Sequence, residues 1–499
     1  MAFKINEVLI KNSIPLVDDR GKVRKLNLSK LSIKDRKTLK YLFSKKIDKN
    51  PKNQFLEAAE QKEAYKILEP YVKKDNKLTP DEIADIRLRY FPKMTGEIKE
   101  LIDKLDDSPD WTLEQFERMG RSAAPAVPYI AKYLKSDDPY TRAHAAKTLG
   151  SIGKYADSAV KDIVKAVILD LFKVEDESIS NRKECAEALA SEIEALGKIG
   201  VVNKVIVSTL MDIDSNKFPY YNVTTAREKA FKSFGKKAVP YLREYLKYGN
   251  PDCISAVYFL GIIGAPSAEA VPDILKLALH GNRDLNVQIG FALKDIGKPA
   301  VPYLRKNLKS KEWRIREAAA DGLGNIGKDA VGAFEDVREL LLNDKVGAVR
   351  KHCAYALAQM GKRAILKASA DLKQALNDDD ARVREWAVHA LGEIIKDRND
   401  VFSALVKLLK KESNSRVYSA IIITLGDSDS SKALPYIKEA LESDDPAVIM
   451  SALRAVEKLG KTAEPLIPCL EKIIKEKGDE YGNIKAEAKE AIKTIKNNH

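Results

Sequence analysis

From about residue 94 the chain cycles through one pattern: an amphipathic helix, a turn, a second helix rich in Ala and Leu, and a closing glycine. The closing glycines are Gly120, Gly153, Gly200, Gly235, Gly264, Gly297, Gly327, Gly361, Gly426 and Gly460, with Ile395 in the slot between Gly361 and Gly426. The ten steps from Gly120 to Gly460 average 34 residues. A two-helix unit of that size cannot bury its apolar face alone, so neighbouring units must stack to make a core. That requirement overrides the two to four independent domains that 499 residues would otherwise suggest.

Local echoes fix where each unit begins. Ala-Val-Pro-Tyr at 126–129, 238–241 and 300–303, and Ala-Leu-Pro-Tyr at 433–436, open first helices. There the proline falls in the first turn, where a missing N–H is harmless. Between the helices stand Asp137-Asp138-Pro139, Asp378-Asp379-Asp380 and Asp444-Asp445-Pro446, whose carboxylates can cap the second helix. Second helices read Val349-Arg350 through Ala354-Tyr355-Ala356-Leu357, or Val383-Arg384 through Ala390-Leu391-Gly392. Small and branched residues at helical spacing allow close helix packing, and the glycine is expected to end the helix in a left-handed cap.

Those residues and their spacing resemble HEAT repeats, specifically the short bacterial type also found in phycobilisome-lyase-like proteins. The resemblance covers roughly residues 94–496. It implies an all-α fold: a right-handed α-solenoid of about twelve HEAT-like helical pairs over 94–499, preceded by a small, mostly helical N-terminal module over 1–93. Two departures stand out. Residues 154–200 make a 47-residue unit, and residues 201–235 contain the irregular run Asn216-Lys217-Phe218-Pro219-Tyr220-Tyr221, where a bend or loop excursion is expected.

The N-terminal module breaks the period. Residues 14–17 and 23–26 flank Asp18-Asp19-Arg20-Gly21, which suggests a hairpin, and helices are expected near 32–45, 55–72 and 80–90. Two loops, from Asp48 and from Lys73, are EF-hand-like but degenerate. Lys52 falls at the fifth ligand position of the first loop and Lys73 at the third of the second, and a lysine there opposes a divalent cation, so neither metal nor other cofactor is expected. Residues 1–53 hold 15 Lys and Arg against 5 Asp and Glu, a net of +10 within a whole-chain charge of +13. Lys22, Arg24, Lys25, Lys30, Lys34, Arg36, Lys37, Lys40, Lys45 and Lys46 carry most of that excess. Such a segment can attract nucleic acid, acidic lipid or an acidic protein face, and it can also simply face water.

Enzyme signatures are missing from the sequence. There is no GxxxxGK[ST], HExxH or GxSxG. Iron-binding HEAT-like hydroxylases use His-Glu pairs, but here His144, His280, His352 and His389 are followed by Ala, Gly, Cys and Ala. Glu385 and Trp386 are the neighbours that would invite comparison with HEAT-like DNA glycosylases. The four cysteines, Cys185, Cys253, Cys353 and Cys469, have no CxxC spacing and read as buried thiols. No apolar run has the length of a membrane span and the opening residues are not a signal peptide, so a cytoplasmic protein is expected.

The variable positions of the second-helix pattern V-R-x-x-A-A-x-A-L are expected on the concave face, because Val, Ala and Leu fill the interhelical core. The last of them carries Tyr258, Phe291, Tyr355 and His389; the one before carries His352 and Trp386 and runs on to Ala420 and Ser451. His352 and Tyr355 stand one 34-residue unit before Trp386 and His389, which predicts a compact aromatic patch. Tyr, Trp and His offer large contact area with few rotors, as interface anchors do. The reading favoured by sequence is therefore a non-enzymatic scaffold or adaptor that binds a protein or peptide partner through His352, Tyr355, Trp386, His389, Tyr258 and Phe291. The alternatives are nucleic-acid association through the basic N-terminal segment and, more weakly, a bilin-lyase-like enzyme.

Overall fold

The computed structural model describes residues 13–17, 23–27, 94–176, 178–213, 220–280, 282–428, 430–476 and 482–497. Ten of these form a two-stranded antiparallel hairpin: β1 (Ser13–Val17) pairs with β2 (Val23–Asn27), Pro15 opposite Lys25. The expected helices at 32–45, 55–72 and 80–90 and both EF-hand-like loops lie outside the described residues, as does the irregular run at 214–219. The chain divides into two compact units, Met1–Phe234 and Gly235–His499. The division falls at a closing glycine inside the repeat; the boundary expected at residue 93 stays a proposal.

Among the described residues the repeat forms twelve helical pairs, four in the first unit and eight in the second. Each unit is thus a stack of α-solenoid type. Second helices pack side by side: in the second unit Cys253–Ile263 lies on Arg283–Ile296, which lies on Trp313–Ile326, then Gly347–Gln359 and Ala381–Gly392. Pro128, Pro240, Pro302 and Pro435 all sit in the first turn of a first helix. Asp138, Asp380 and Asp445 cap second helices by accepting from the N–H groups of Thr141, Arg382 and Ala447. The 47-residue unit holds the two helices Val160–Glu175 and Arg182–Ile199, which account for its extra length.

The core is Leu, Ile, Val and Ala with almost no aromatic filling, and the small residues let backbones touch. A Cβ added at Gly426 would stand 2.7 Å from the Ala455 Cα, and one at Gly261 would stand 3.0 Å from the Ala292 Cα. The closing glycines depart from expectation in two ways. Gly426 lies inside its helix and is required by close approach to Ala455; the other nine have positive φ. Of those, Gly200 (φ 71, ψ 17) takes the expected left-handed cap, whereas Gly297 (φ 68, ψ −146) takes a conformation essentially restricted to glycine. Gly153, Gly264 and Gly327 match Gly297. The reason is the connection that follows: at Gly297 the chain must turn at once into the 3-10 turn Lys298–Ala300, closed by the Ala300 N–H donating to the Gly297 carbonyl at 2.9 Å.

The arginine near the start of the second helix, in Ile315-Arg316, Val349-Arg350 and Val383-Arg384, builds a ladder. In the second unit Arg316, Arg350 and Arg384 each fork onto an acid 28 residues on, Asp344, Asp378 and Glu412, through Nε and Nη2. Their Nη1 groups donate to backbone carbonyls of the preceding turn, at Ser310, Asp344 and Asp378. Every rung therefore ties one pair to the next and satisfies carbonyls that a helix end leaves open. In the first unit Arg142 does the same with Asp170, deep enough that both side chains are fully buried.

Candidate functional site

The face of interest is set by register. Six residues before each closing slot of the five second helices named above stand Tyr258, Phe291, Asp321, Tyr355 and His389. Ten before stand Ile254, Val287, Glu317, Lys351 and Glu385, four residues earlier and so on the same helix face. His352 and Trp386 lie nine before.

Three of the six residues singled out from sequence come together. The Tyr355 and Trp386 rings meet edge to face with centroids 4.8 Å apart, and Trp386 meets His389 at 5.5 Å. Contact runs diagonally, Tyr355 of one helix to Trp386 of the next, rather than between equivalent positions 34 residues apart. Tyr355 and Trp386 are half-buried and His389 is exposed. The Tyr355 hydroxyl donates to Asn325 Oδ1 at 3.1 Å, and its ring lies over Gly324 so closely that a Cβ there would overlap it. Part of the tyrosine is thus spent on holding two second helices together.

His352 belongs to a different group. Its Nδ1 lies 2.9 Å from the Ala348 carbonyl and its Nε2 lies 3.3 Å from Lys351 Nζ. A carbonyl only accepts and an ammonium only donates, so the ring is neutral with its proton on Nδ1. Burial, aided by Lys351, holds its pKa below the ordinary value even though Asp321 and Glu317 pull the other way. Those two carboxylates flank the ring, Glu317 Oε1 at 3.5 Å and Asp321 Oδ1 at 3.7 Å. Asp321 also accepts from Asn325 Nδ2 at 3.0 Å. Among the described residues no lysine or arginine forms an ion pair with either carboxylate; the Arg382 guanidinium, whose charge reaches Glu317, is itself paired with Asp380.

Tyr258 and Phe291 lie on the N-terminal side of this acid pair, separated from the ring stack by the Trp313–Ile326 helix. Tyr258 packs edge on against Phe259 at 5.3 Å. Phe291 is 58% exposed, and with Val287 at 52% and Ile254 at 40% it makes an apolar surface on two adjoining helices. Neither Ile254 nor Val287 nor Glu317 came out of the sequence reading, because only the last two variable positions of the pattern were followed. The row four residues earlier would have found them. In the opposite sense, Ala420 and Ser451 are buried rather than surface residues, since the C-terminal second helices turn that position inward and Ser451 donates to its own helix at Ala447.

Of the basic segment, Arg24 and Lys25 lie on β2; Lys22, Lys30, Lys34, Arg36, Lys37, Lys40, Lys45 and Lys46 lie outside the described residues. Cys353 is fully buried and its thiol is pushed up by that burial, so it is an inert core group. Among the described residues no cluster of three or more His, Cys, Asp or Glu is arranged to hold a metal ion, and no helix is long and apolar enough to cross a membrane.

One buried polar cluster lies apart from this face, in the first unit. Arg142 and Asp170 pack with Cys185, whose Sγ is 3.8 Å from Arg142 Nη2, and with the fully buried Glu192. Burial first, and then the Asp170 charge, push the Glu192 carboxyl well above the ordinary carboxylate range.

Residues 271–358, 334–425 and 402–493 match the family described as HEAT repeats. No curated protein matches it. Among solved structures it is similar to an engineered protein, at 22% identity and TM-score 0.32, over 74% of this chain and 98% of that one. It is also similar to Kap121p bound to Nup53p, at 13% identity and TM-score 0.49, over 99% of this chain and 56% of that one. A second structure, the karyopherin Kap121p bound to the extreme C-terminus of the protein phosphatase Cdc14p, gives 12% identity and TM-score 0.45. The chain spans a little over half the length of the Kap121p structures it matches.

Proposed function

We propose that this HEAT-repeat chain is a non-enzymatic scaffold whose second helices, between Cys253 and Gly392, present the docking face for a protein partner. The observation that carries the reading is the Tyr355–Trp386–His389 stack, two half-buried rings and an exposed one, on the two second helices that follow the helix of Glu317 and Asp321, carboxylates that among the described residues form no ion pair with a lysine or arginine. Large aromatic surface at the centre of a face is where truncation most often costs binding energy. Carboxylates without a lysine or arginine partner among the described residues are a further source of specificity, because a partner's cation can meet them and a partner's anion is disfavoured.

The basic segment of residues 1–53 supports a second reading, association with nucleic acid, since a net of +10 over 53 residues favours phosphate. One capture experiment separates the two. The full chain, Trp386→Ala and the double variant Lys34→Glu/Arg36→Glu are each used to capture partners from native lysate, with and without nuclease. The scaffold reading expects a protein that survives nuclease and is lost with Trp386→Ala alone. Capture that disappears with nuclease or with the Lys34 and Arg36 reversals points to nucleic acid.

A further inference from the structure

We infer that the partner engages this face as an extended peptide segment with a basic residue flanked three positions away on each side by large apolar residues. The inference rests on the scaffold reading and names the chemistry of its ligand.

Five successive second helices show a composition gradient along the row. Ile254 with Tyr258, and Val287 with Phe291, are apolar; Glu317 with Asp321 is acidic; Tyr355 and then Trp386 with His389 are aromatic. The third helix, at the middle of the row, holds Glu317 and Asp321 at the two positions, while Lys351 on the fourth helix is offset by Glu385 on the fifth, so the acidic charge sits at the middle. An apolar ligand group suits either end, and a cation suits the middle.

Dimensions select the ligand's conformation. Packed helices are spaced by about 8–10 Å, which an extended chain rising about 3.3 Å per residue covers in roughly three residues. A group resting on Phe291 and one resting on Tyr355 thus lie about three residues to either side of a group at Glu317 and Asp321. The strip is also narrow: four residues of a helix span about 6 Å along its axis. That is close to the width of a single extended strand, about 4.8 Å, and about half the 10–12 Å diameter of a helix.

The test is unbiased selection: random twelve-residue peptides displayed on phage are selected on the full-length chain, and the enriched sequences are then made synthetically. The expected result is enrichment of Lys or Arg with Leu, Ile, Phe, Trp or Tyr three residues before and after it. Affinity for such a peptide is expected to fall at least tenfold with Phe291→Ala and with Glu317→Lys/Asp321→Lys. A peptide carrying Glu in place of the central cation is expected to prefer the charge-reversed chain. If the reversed chain does not fold, Glu317→Gln/Asp321→Asn is measured instead, with a loss of at least fivefold expected. Selection of acidic or unspaced sequences, failure to select any peptide, or indifference of affinity to both Phe291 and the acid pair overturns the inference. If Trp386→Ala releases the captured protein while the Phe291 and acid-pair variants retain it as the unaltered chain does, this inference fails and the scaffold reading stands.

Discussion

The Tyr355 ring fills the space where a Cβ on Gly324 of the preceding second helix would stand, while its hydroxyl donates to Asn325 Oδ1 on that same helix. A methyl group at position 324 would occupy space the ring already fills. Gly324→Ala is therefore expected to destabilise the second unit by about 1–3 kcal/mol, the usual range for forced overpacking. In Tyr355→Ala the same methyl meets open space, so the two substitutions together are expected to be markedly less damaging than their sum. Urea unfolding of the four chains in this cycle measures the coupling.

Arg384 and Glu412 form a rung in which the acid is only 2% exposed. Arg384→Ala leaves that carboxylate buried without its cation and strips donors from two backbone carbonyls, so a loss of about 3–5 kcal/mol is expected. Arg305, whose ion pair with Asp336 faces solvent on the first helices, is the contrast. Arg305→Ala is expected to cost less than about 1 kcal/mol. Equal losses in denaturant unfolding would contradict the assignment of the arginine ladder as the tie between pairs.

Glu192 gives stability a pH dependence of unusual sign. Its carboxyl is raised in the folded chain, by burial and then by Asp170, so the folded state holds a proton that the unfolded state releases near the ordinary value. Its contribution is fully present below that ordinary value and is lost as pH rises through the raised one. Asp378 and Glu412 behave oppositely. Burial pushes them up most, but hydrogen bonds from Arg350 and Arg384, backbone N–H groups and the arginine charges together outweigh it and hold both below the ordinary range, so their contribution is lost as pH falls. Glu192→Gln, which keeps a neutral amide where the neutral acid stood, is expected to raise the melting temperature at pH 8 relative to the unaltered chain and to leave it nearly unchanged at pH 4, below the ordinary carboxyl value. A lower melting temperature at pH 8 would mean that the carboxylate, not the acid, is the native form.

Gly297 and Gly426 occupy the same slot of the repeat for different reasons, and substitution separates them. At Gly297 an alanine would have to adopt φ near 68 with ψ near −146, a strain of about 1–3 kcal/mol. At Gly426 the backbone is helical and the obstacle is the Ala455 Cα, 2.7 Å from the added carbon. Shortening the facing residue, Ala455→Gly, is expected to relieve Gly426→Ala in thermal unfolding. No facing residue sets the conformation at Gly297, so no such rescue is expected there.

How much of this was legible in the sequence follows from what each feature depends on. The twelve pairs, the first-turn prolines and the Asp caps were legible because periodicity and cap chemistry are local and every unit repeats them. The cap conformation at Gly297 was not, since a positive φ can be read from a glycine but ψ depends on the 3-10 turn that follows. The aromatic patch was legible as a neighbourhood and only in part as a geometry. His352 left the stack because Ala348, Lys351 and the two acids supply the polar surroundings a half-buried imidazole needs, and three of those four lie on positions the periodic pattern treats as variable. The arginine ladder was missed even though Val-Arg was noticed, because its partner stands 28 residues away and the pairing appears only once the helices are stacked. Glu192 was missed for a simpler reason: a glutamate in a helix rich in Glu reads as a solvated face until burial is known.

Docking of the partner on the second-helix face around Trp386 is tested by the partner's dissociation constant for the unaltered chain and for Trp386→Ala, taken alongside the melting temperature of each. Trp386 is half-buried against Tyr355 and His389, so its truncation is expected to cost little stability, about 1 kcal/mol, and to weaken binding by about 2 kcal/mol or more, roughly thirtyfold. Unchanged affinity in a chain that remains folded, or a loss of about 3–5 kcal/mol of stability with no separate effect on binding, would place the ring in the core and contradict docking on this face.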